Sequence, residues 1–215
     1  MGTKERFTEI YENNEWKSGE SKSGNGSELQ YTNTLQKELL FLCEKYKIKT
    51  ILDIPCGDYN WMQSTKLNDI EYIGADIVES MIENNRKRYP DVKFELLDIT
   101  KDVLPIVDLV FVRDCLGHLS DDNIFKALGN LQKSGSRYLL STSFTKWNHN
   151  PSKLDGEWKC INLMIEPYFL KPIFLINEDC TQGYPDYNDK CMVLFDLKDL
   201  HCGGTNRHTV LFPNL

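Results

Sequence analysis

At 215 residues the chain is long enough for one domain with a sizeable core and too short to require two. Its formal charge of −7 disfavours a nucleic-acid phosphate backbone as partner, and no apolar run approaches the length of a bilayer span, which excludes membrane insertion. The seven cysteines are scattered with no Cys-x-x-Cys pair, and the start, Met1-Gly2-Thr3-Lys4-Glu5-Arg6, has neither the apolar core of a secretion signal nor Ser or Thr at position 6 for myristoylation, so the expected location is the cytoplasm with reduced thiols.

Residues 1–28 are polar, with Gly and Ser crowded between Trp16 and Ser27. They predict either a flexible arm or a lid that folds over a ligand, because an indole such as Trp16 is costly to leave in water. Residues 29–215 then form a single domain. A helix is expected from about Leu29 to Tyr46, where Leu35, Leu39, Leu42, Cys43 and Tyr46 share one face. A strand beginning at Thr50 follows, then a strand over 71–76, a helix over 79–89, a strand over 92–97 and another over 107–112. The basic run Arg86-Lys87-Arg88 falls late in its helix and reads as a solvated face that complements the helix dipole. Ser120-Asp121-Asp122 marks another helix start, with Ile124, Leu128 and Leu131 as its buried stripe, and Arg137 to Ser143 reads as a fifth strand. This alternation predicts a parallel sheet covered on both faces. The last third breaks the pattern. Pro172–Asn177 and Lys190–Leu197 read as two strands with turn residues 184–189 between them, a candidate terminal hairpin.

Chemistry concentrates where the strands end. Thr50-Ile51-Leu52-Asp53-Ile54-Pro55-Cys56-Gly57-Asp58 reads as a buried strand running into a tight turn, Asp76 closes the next strand about twenty residues later, and Asp98 follows the third. Three consecutive strands that end in a carboxylate suggest a nucleoside site along the carboxyl edge of the sheet. A dinucleotide is a poor candidate, because its fingerprint needs three spaced glycines against the pyrophosphate and this loop has one glycine and an acid. An acidic loop suits a ligand that carries an ammonium and a sulfonium, which points to S-adenosylmethionine.

Asp53 to Gly57, Asp76 and Asp98 resemble, in order and spacing, the first three motifs of the class I S-adenosylmethionine-dependent methyltransferases, and the resemblance covers nearly the whole chain. It implies a Rossmann-like, doubly wound, mostly parallel seven-stranded sheet whose C-terminal strand is antiparallel. Asp53-Ile54-Pro55-Cys56-Gly57-Asp58 with Trp61, Arg113-Asp114 with His118-Leu119, Asp196 to Leu200, and the early Glu20 to Ser27 segment further resemble a subgroup of small methyltransferases associated with surface-glycan and capsule modification. Carried over by position, the turn after Asp53 (Ile54, Pro55, Cys56, Gly57) holds the methionine portion of the cofactor. Asp76 accepts the ribose hydroxyls, Ile77 packs on the adenine, and Asp98 with the backbone of Ile99 receives the adenine amine. Each has a plainer reading: Asp53 and Asp98 as turn caps, Asp76 as a helix opener.

Arg113, Asp114 and His118 follow the fourth strand, where an acceptor meets the methyl group. The Asn/Asp-Pro-Pro-aromatic signature of enzymes that methylate base or amide nitrogen is missing. O-methylation benefits from a base, and His118 titrates in the right range. Asp114 either orients it, is itself the base, or anchors an acceptor hydroxyl, and Arg113 pairs with the cofactor carboxylate or a loop acid. Plainer again, His118 is a helix-start side chain bonded to nearby backbone. Trp16, Glu20, Ser23, Trp158 and Asn162 are the expected acceptor-binding residues. The leading expectation is an O-methyltransferase that uses S-adenosylmethionine, releases S-adenosylhomocysteine, and modifies a small-molecule acceptor: a sugar, a nucleotide sugar or a capsule substituent such as a phosphoramidate. The alternatives are an N-methyltransferase or macromolecule-directed enzyme, and a catalytically silent methyltransferase-like binding subunit. A homodimer is compatible with either. No metal is expected, since His201, Cys202 and His208 match no strong zinc spacing.

Overall fold

A computed structural model describes residues 2–181 and 187–200. The elements run α1 (Thr3–Glu12), α2 (Leu29–Tyr46), β1 (Thr50–Asp53), β2 (Glu71–Asp76), α3 (Glu79–Arg88), β3 (Lys93–Leu96), β4 (Leu109–Val112), α4 (Asp121–Lys133), β5 (Tyr138–Phe144), β6 (Pro172–Asn177) and β7 (Lys190–Asp196). They form one seven-stranded sheet in the order β3-β2-β1-β4-β5-β7-β6. The pairs β3–β2, β2–β1, β1–β4 and β4–β5 are parallel, while β7 lies antiparallel to both β5 and β6. The expected doubly wound sheet with an antiparallel final strand is therefore present, and the two C-terminal strands pair as expected. Most expected strand bounds hold to within a residue or two.

The alternation of apolar side chains along the strands builds two cores, one on each face. Ile51, Leu109, Phe111, Leu140 and Leu194 meet Leu35, Leu39 and Leu42 of α2. Their neighbours Leu52, Val110, Val112, Leu139 and Val193 point the other way, onto Ile124, Ala127, Leu128 and Leu131 of α4. Every residue of β4 and β5 is buried, as strands in the centre of a sheet covered on both faces should be.

Two segments add what the expectations did not describe. The polar N-terminus contains α1, because Phe7, Ile10 and Tyr11 fall at helical spacing and bury against the sheet's carboxyl edge: Tyr11 and Phe7 pack with Val78 and Met81 at the start of α3. The chain from 145 to 171 has no helix, yet backbone bonds fix it. Phe144 N donates to Ile161 O at 2.8 Å, Lys159 N to Gly117 O at 3.0 Å and Gly156 N to His118 O at 2.8 Å. The basic run of α3 is exposed, but Arg86 is docked: its guanidinium donates twice to Phe94 O, at 2.8 and 3.0 Å. No helix among the described residues is long and apolar enough to cross a membrane.

Candidate functional site

A cavity of about 510 Å³ opens at the carboxyl edge of the sheet, where β1 and β4 lie side by side and the strand order reverses. Its walls come from the loops after β1, β2, β3 and β4, from α1 and residues 15–27 above, and from Trp158, Tyr187 and Lys190.

The loop after β1 turns through Gly57 at φ +56°, where an added Cβ would stand 2.2 Å from Ser23 Oγ, so only glycine fits. Three contacts hold this turn. Gly57 N donates to Asp76 Oδ2 at 3.2 Å, Asn85 Nδ2 donates to Gly57 O at 2.7 Å, and Asp58 N donates to Ser23 Oγ at 2.8 Å. Asp76 also accepts from Val78 N at 3.0 Å, so its plainer reading as a helix opener is true in part. It still lines the cavity, and with Gly57, Ile77 and Val78 as backbone donors the carboxylate keeps acceptor capacity to spare. Burial lifts its proton affinity to about 6 against those N–H bonds. Asp53 is more deeply buried and is lifted by that burial to about 8, despite the hydroxyl of Tyr72 donating to it at 2.7 Å. Asp98 sits two residues past the end of β3, and burial, which would raise its pKa, is overcome by Thr100 and Lys101, so it stays below the usual range. Ile54, Pro55, Cys56, Ile77 and Ile99 line the same cavity.

At the other end, β4 runs into Arg113 and Asp114. Asp114 adopts φ +51°, a conformation that Asp tolerates better than most residues and that turns the chain sharply at the strand end. Lys190 Nζ donates to Asp114 Oδ2 at 2.6 Å and Thr142 Oγ1 donates to Oδ1 at 3.2 Å. Burial would raise this carboxyl, but Lys190 and then Arg113 outweigh it and hold it well below the carboxylate range. Arg113 is anchored within the protein: Nε and Nη2 donate to Glu178 Oε2 at 3.1 and 2.6 Å, and Nη1 donates to Gly26 O at 2.9 Å. Its acid partner in the protein is Glu178, just past β6, and it still lines the cavity. His118 stands between two indoles, its ring centroid 5.2 Å from Trp16 and 4.8 Å from Trp158. Burial drives its pKa down to about 4, so the imidazole is neutral, and its Nδ1 is buried with no partner in the protein.

The cavity therefore gathers every expected site residue except two. Glu20 faces away because the unsatisfied N–H groups at the start of α2 and a neighbouring amide claim it: its Oε1 accepts from Leu29 N at 2.8 Å and from Asn60 Nδ2 at 2.6 Å. Asn162 is buried and consumed by backbone, donating to Trp147 O at 2.8 Å and accepting from Met164 N at 3.0 Å. Ser23 lines the cavity, but its hydroxyl is engaged with Asp58, donating to Oδ1 at 3.1 Å. Sequence reasoning missed Glu178, Lys190, Phe7 and Tyr11. The signal for the first two was charge beside apolar strands: Glu178 directly follows β6, and Lys190 opens the run Cys191 to Phe195. Among the described residues no three His, Cys, Asp or Glu side chains are placed to hold a metal; His201, Cys202 and His208 lie outside them.

Residues 51–134, the stretch that supplies the loops after β1 to β4, match a protein-family profile described as a methyltransferase domain. Over that stretch the chain is similar to methyltransferase domains. The 235L protein of Invertebrate iridescent virus 6, which bears a provisional methyltransferase name, is 30% identical over 128 residues, covering 57% of this chain and 47% of that protein. The chain thus spans about half the length of this relative. Among solved structures, the N-methyltransferase NodS from Bradyrhizobium japonicum WM9, in complex with S-adenosyl-L-homocysteine, superposes with a TM-score of 0.60 at 17% identity, covering 87% of this chain and 97% of NodS. Human N-acetylserotonin methyltransferase in complex with SAM also gives a TM-score of 0.60, at 12% identity over 91% of this chain and 60% of its own. At these identities the superpositions show a shared fold.

Proposed function

We propose that the protein is an S-adenosylmethionine-dependent O-methyltransferase acting on a small hydroxylated acceptor, a sugar-like molecule of the kind built into surface glycans. The observation that carries this reading is the neutral imidazole of His118, held between two indoles in the same cavity as the acidic rim of β1, β2 and β3. The residues present suit the cofactor. Asp76 has lone pairs left for ribose hydroxyls, Asp98 remains anionic for an amine, and the acidic loop surroundings complement an ammonium and a sulfonium.

Bound S-adenosylmethionine supplies a methyl group already activated on sulfur, so the protein's part is alignment, exclusion of water and removal of one proton. α1 and the Trp16 to Ser27 segment roof the cavity and exclude water. In this reading His118, neutral above pH about 4 and therefore a weak base, receives the hydroxyl proton late, as the oxygen–methyl bond forms and makes that proton acidic. Asp114 is a weak base, because Lys190 and Arg113 stabilise its anion, and its role is to anchor the acceptor.

The test is calorimetry with S-adenosylhomocysteine and with NADH, followed by acceptor screening with mass detection of methylated product. The expected result is binding of S-adenosylhomocysteine alone, with His118→Ala lowering kcat by about 10²–10⁴-fold, the usual worth of a positioned base. NADH binding without S-adenosylhomocysteine binding would end the reading. Full turnover in both His118→Ala and Asp114→Ala would remove these two residues as base and anchor.

A further inference from the structure

Resting on the methyltransferase reading above, we infer that the acceptor end of the cavity is built for an uncharged polyol, and that Lys190, joined to Asp114, is the positioning residue that reads one of its hydroxyls. Arg113 and Lys190 are the only lysine or arginine side chains among the described residues that line the cavity. Both are already neutralised inside the protein. Arg113 lies 2.6 Å from Glu178 Oε2, and Lys190 lies 2.6 Å from Asp114 Oδ2 with Glu178 Oε2 at 3.7 Å. All four side chains are buried or partly buried, with Glu178 at 0% and Lys190 at 4% exposure. A phosphate or carboxylate entering here finds no spare cation. It meets the Asp114 carboxylate and loses its own hydration, with Glu178 already balancing the charge behind Arg113, a combination that disfavours anions.

A neutral hydroxyl fares differently. The Lys190 ammonium has three protons, of which one goes to Asp114 and one faces Glu178 at a longer distance. Each oxygen of Asp114 has a lone pair beyond those taken by Lys190 and Thr142. The pair therefore offers one donor and one acceptor side by side, which a single hydroxyl satisfies by accepting from Lys190 and donating to Asp114. That hydroxyl is fixed and does not react. A second hydroxyl on the same molecule is the one left for His118, so the acceptor needs at least two. The indoles of Trp16 and Trp158 supply apolar faces for its C–H surfaces.

The experiment is calorimetric titration of protein saturated with S-adenosylhomocysteine, using a panel of neutral methyl glycosides and the matching sugar phosphates. At least one neutral glycoside is expected to bind at least tenfold more tightly than its phosphate. Lys190→Met should weaken that glycoside at least tenfold more than it weakens S-adenosylhomocysteine, and Lys190→Arg should recover part of the loss. Asp114→Asn leaves Lys190 without its nearest carboxylate and should shift the preference toward the phosphates at least tenfold. Phosphates that bind as well as the neutral glycosides, or no binding by either, overturn the inference while leaving the methyltransferase reading intact. Failure to bind S-adenosylhomocysteine sinks that reading itself. Should a variant fail to bind it, the wild-type comparison still decides.

Discussion

Asp114 and His118 leave β4 within one turn of each other, and their surroundings push their chemistry apart. The carboxylate is held ionised by two cations and the imidazole is held neutral by burial, so an anchor and a base sit in one cavity. The pH dependence follows from the sign of the second shift. A base that loses its proton at about 4 carries no titration into the neutral range, so kcat/KM should show no His118-dependent limb near the ordinary imidazole value of about 6.5, and any slope from Asp76 at about 6 or Asp53 at about 8 should persist in His118→Gln. A limb at 6.5 that disappears in His118→Gln would show an ordinary, solvated histidine and reject this environment. Both residues were legible as candidates from their place after an apolar strand. The division of roles was not, because it depends on Trp16, Trp158 and Lys190, which come from three distant parts of the chain.

The N-terminal segment shows how elements cooperate at the site. Asp58, in the loop after β1, accepts from Ser21 Oγ, Lys22 N and Ser23 Oγ at 2.8, 2.8 and 3.1 Å, while Asn60 Nδ2 donates to Ser27 O at 3.0 Å and Arg113 reaches Gly26 O. Thr3 Oγ1 donates to Asp155 Oδ2 at 2.6 Å, which ties α1 to the chain ahead of Trp158. At about 1 kcal/mol per net hydrogen bond, Asp58→Ala should loosen residues 18–27 enough to raise the Kd for S-adenosylhomocysteine roughly tenfold. It should also speed proteolysis at Lys17 or Lys22. Unchanged affinity and unchanged cleavage would show that Asp58 does not clamp the roof. Sequence reasoning found the roof's composition but not α1, since three apolar residues in a polar stretch give a weak period until the sheet edge is there to cover them.

At the scale of the whole molecule, α2, the order of strands and helices, and the acidic rim could all be read from periodicity and strand-end residues. The irregular stretch 145–171 could not, because its shape comes from backbone bonds to β4's loop and not from any local propensity. The buried rim also sets a pH trend for folding. Asp53 and Asp76 bind protons more tightly folded than unfolded, so the stability they contribute is complete below about pH 4. It is lost as the pH rises through about 8 for Asp53 and about 6 for Asp76. His118 acts in the opposite sense, its contribution being lost as pH falls from about 6.5 to about 4. Between pH 6.5 and 8.5 Lys153, which burial lowers to about 7, gains stability with rising pH and opposes Asp53, so the test is the difference: Tm should change less favourably with rising pH in the wild type than in Asp53→Asn. Equal slopes in a thermal melt would remove Asp53 as the cause.

Because β7 runs against its neighbours, its first residue rather than its last arrives at the rim, and this has a consequence for biosynthesis. Arg113 lies 65 residues ahead of Glu178, and Asp114 lies 76 ahead of Lys190. A ribosome releasing this chain exposes the earlier half of each ion pair well before its counterpart exists. The corner is completed only when β7 is added, and since β7 lies between β5 and β6, the strand that brings Lys190 to Asp114 is also the one that joins β6 and the following Glu178 to the sheet.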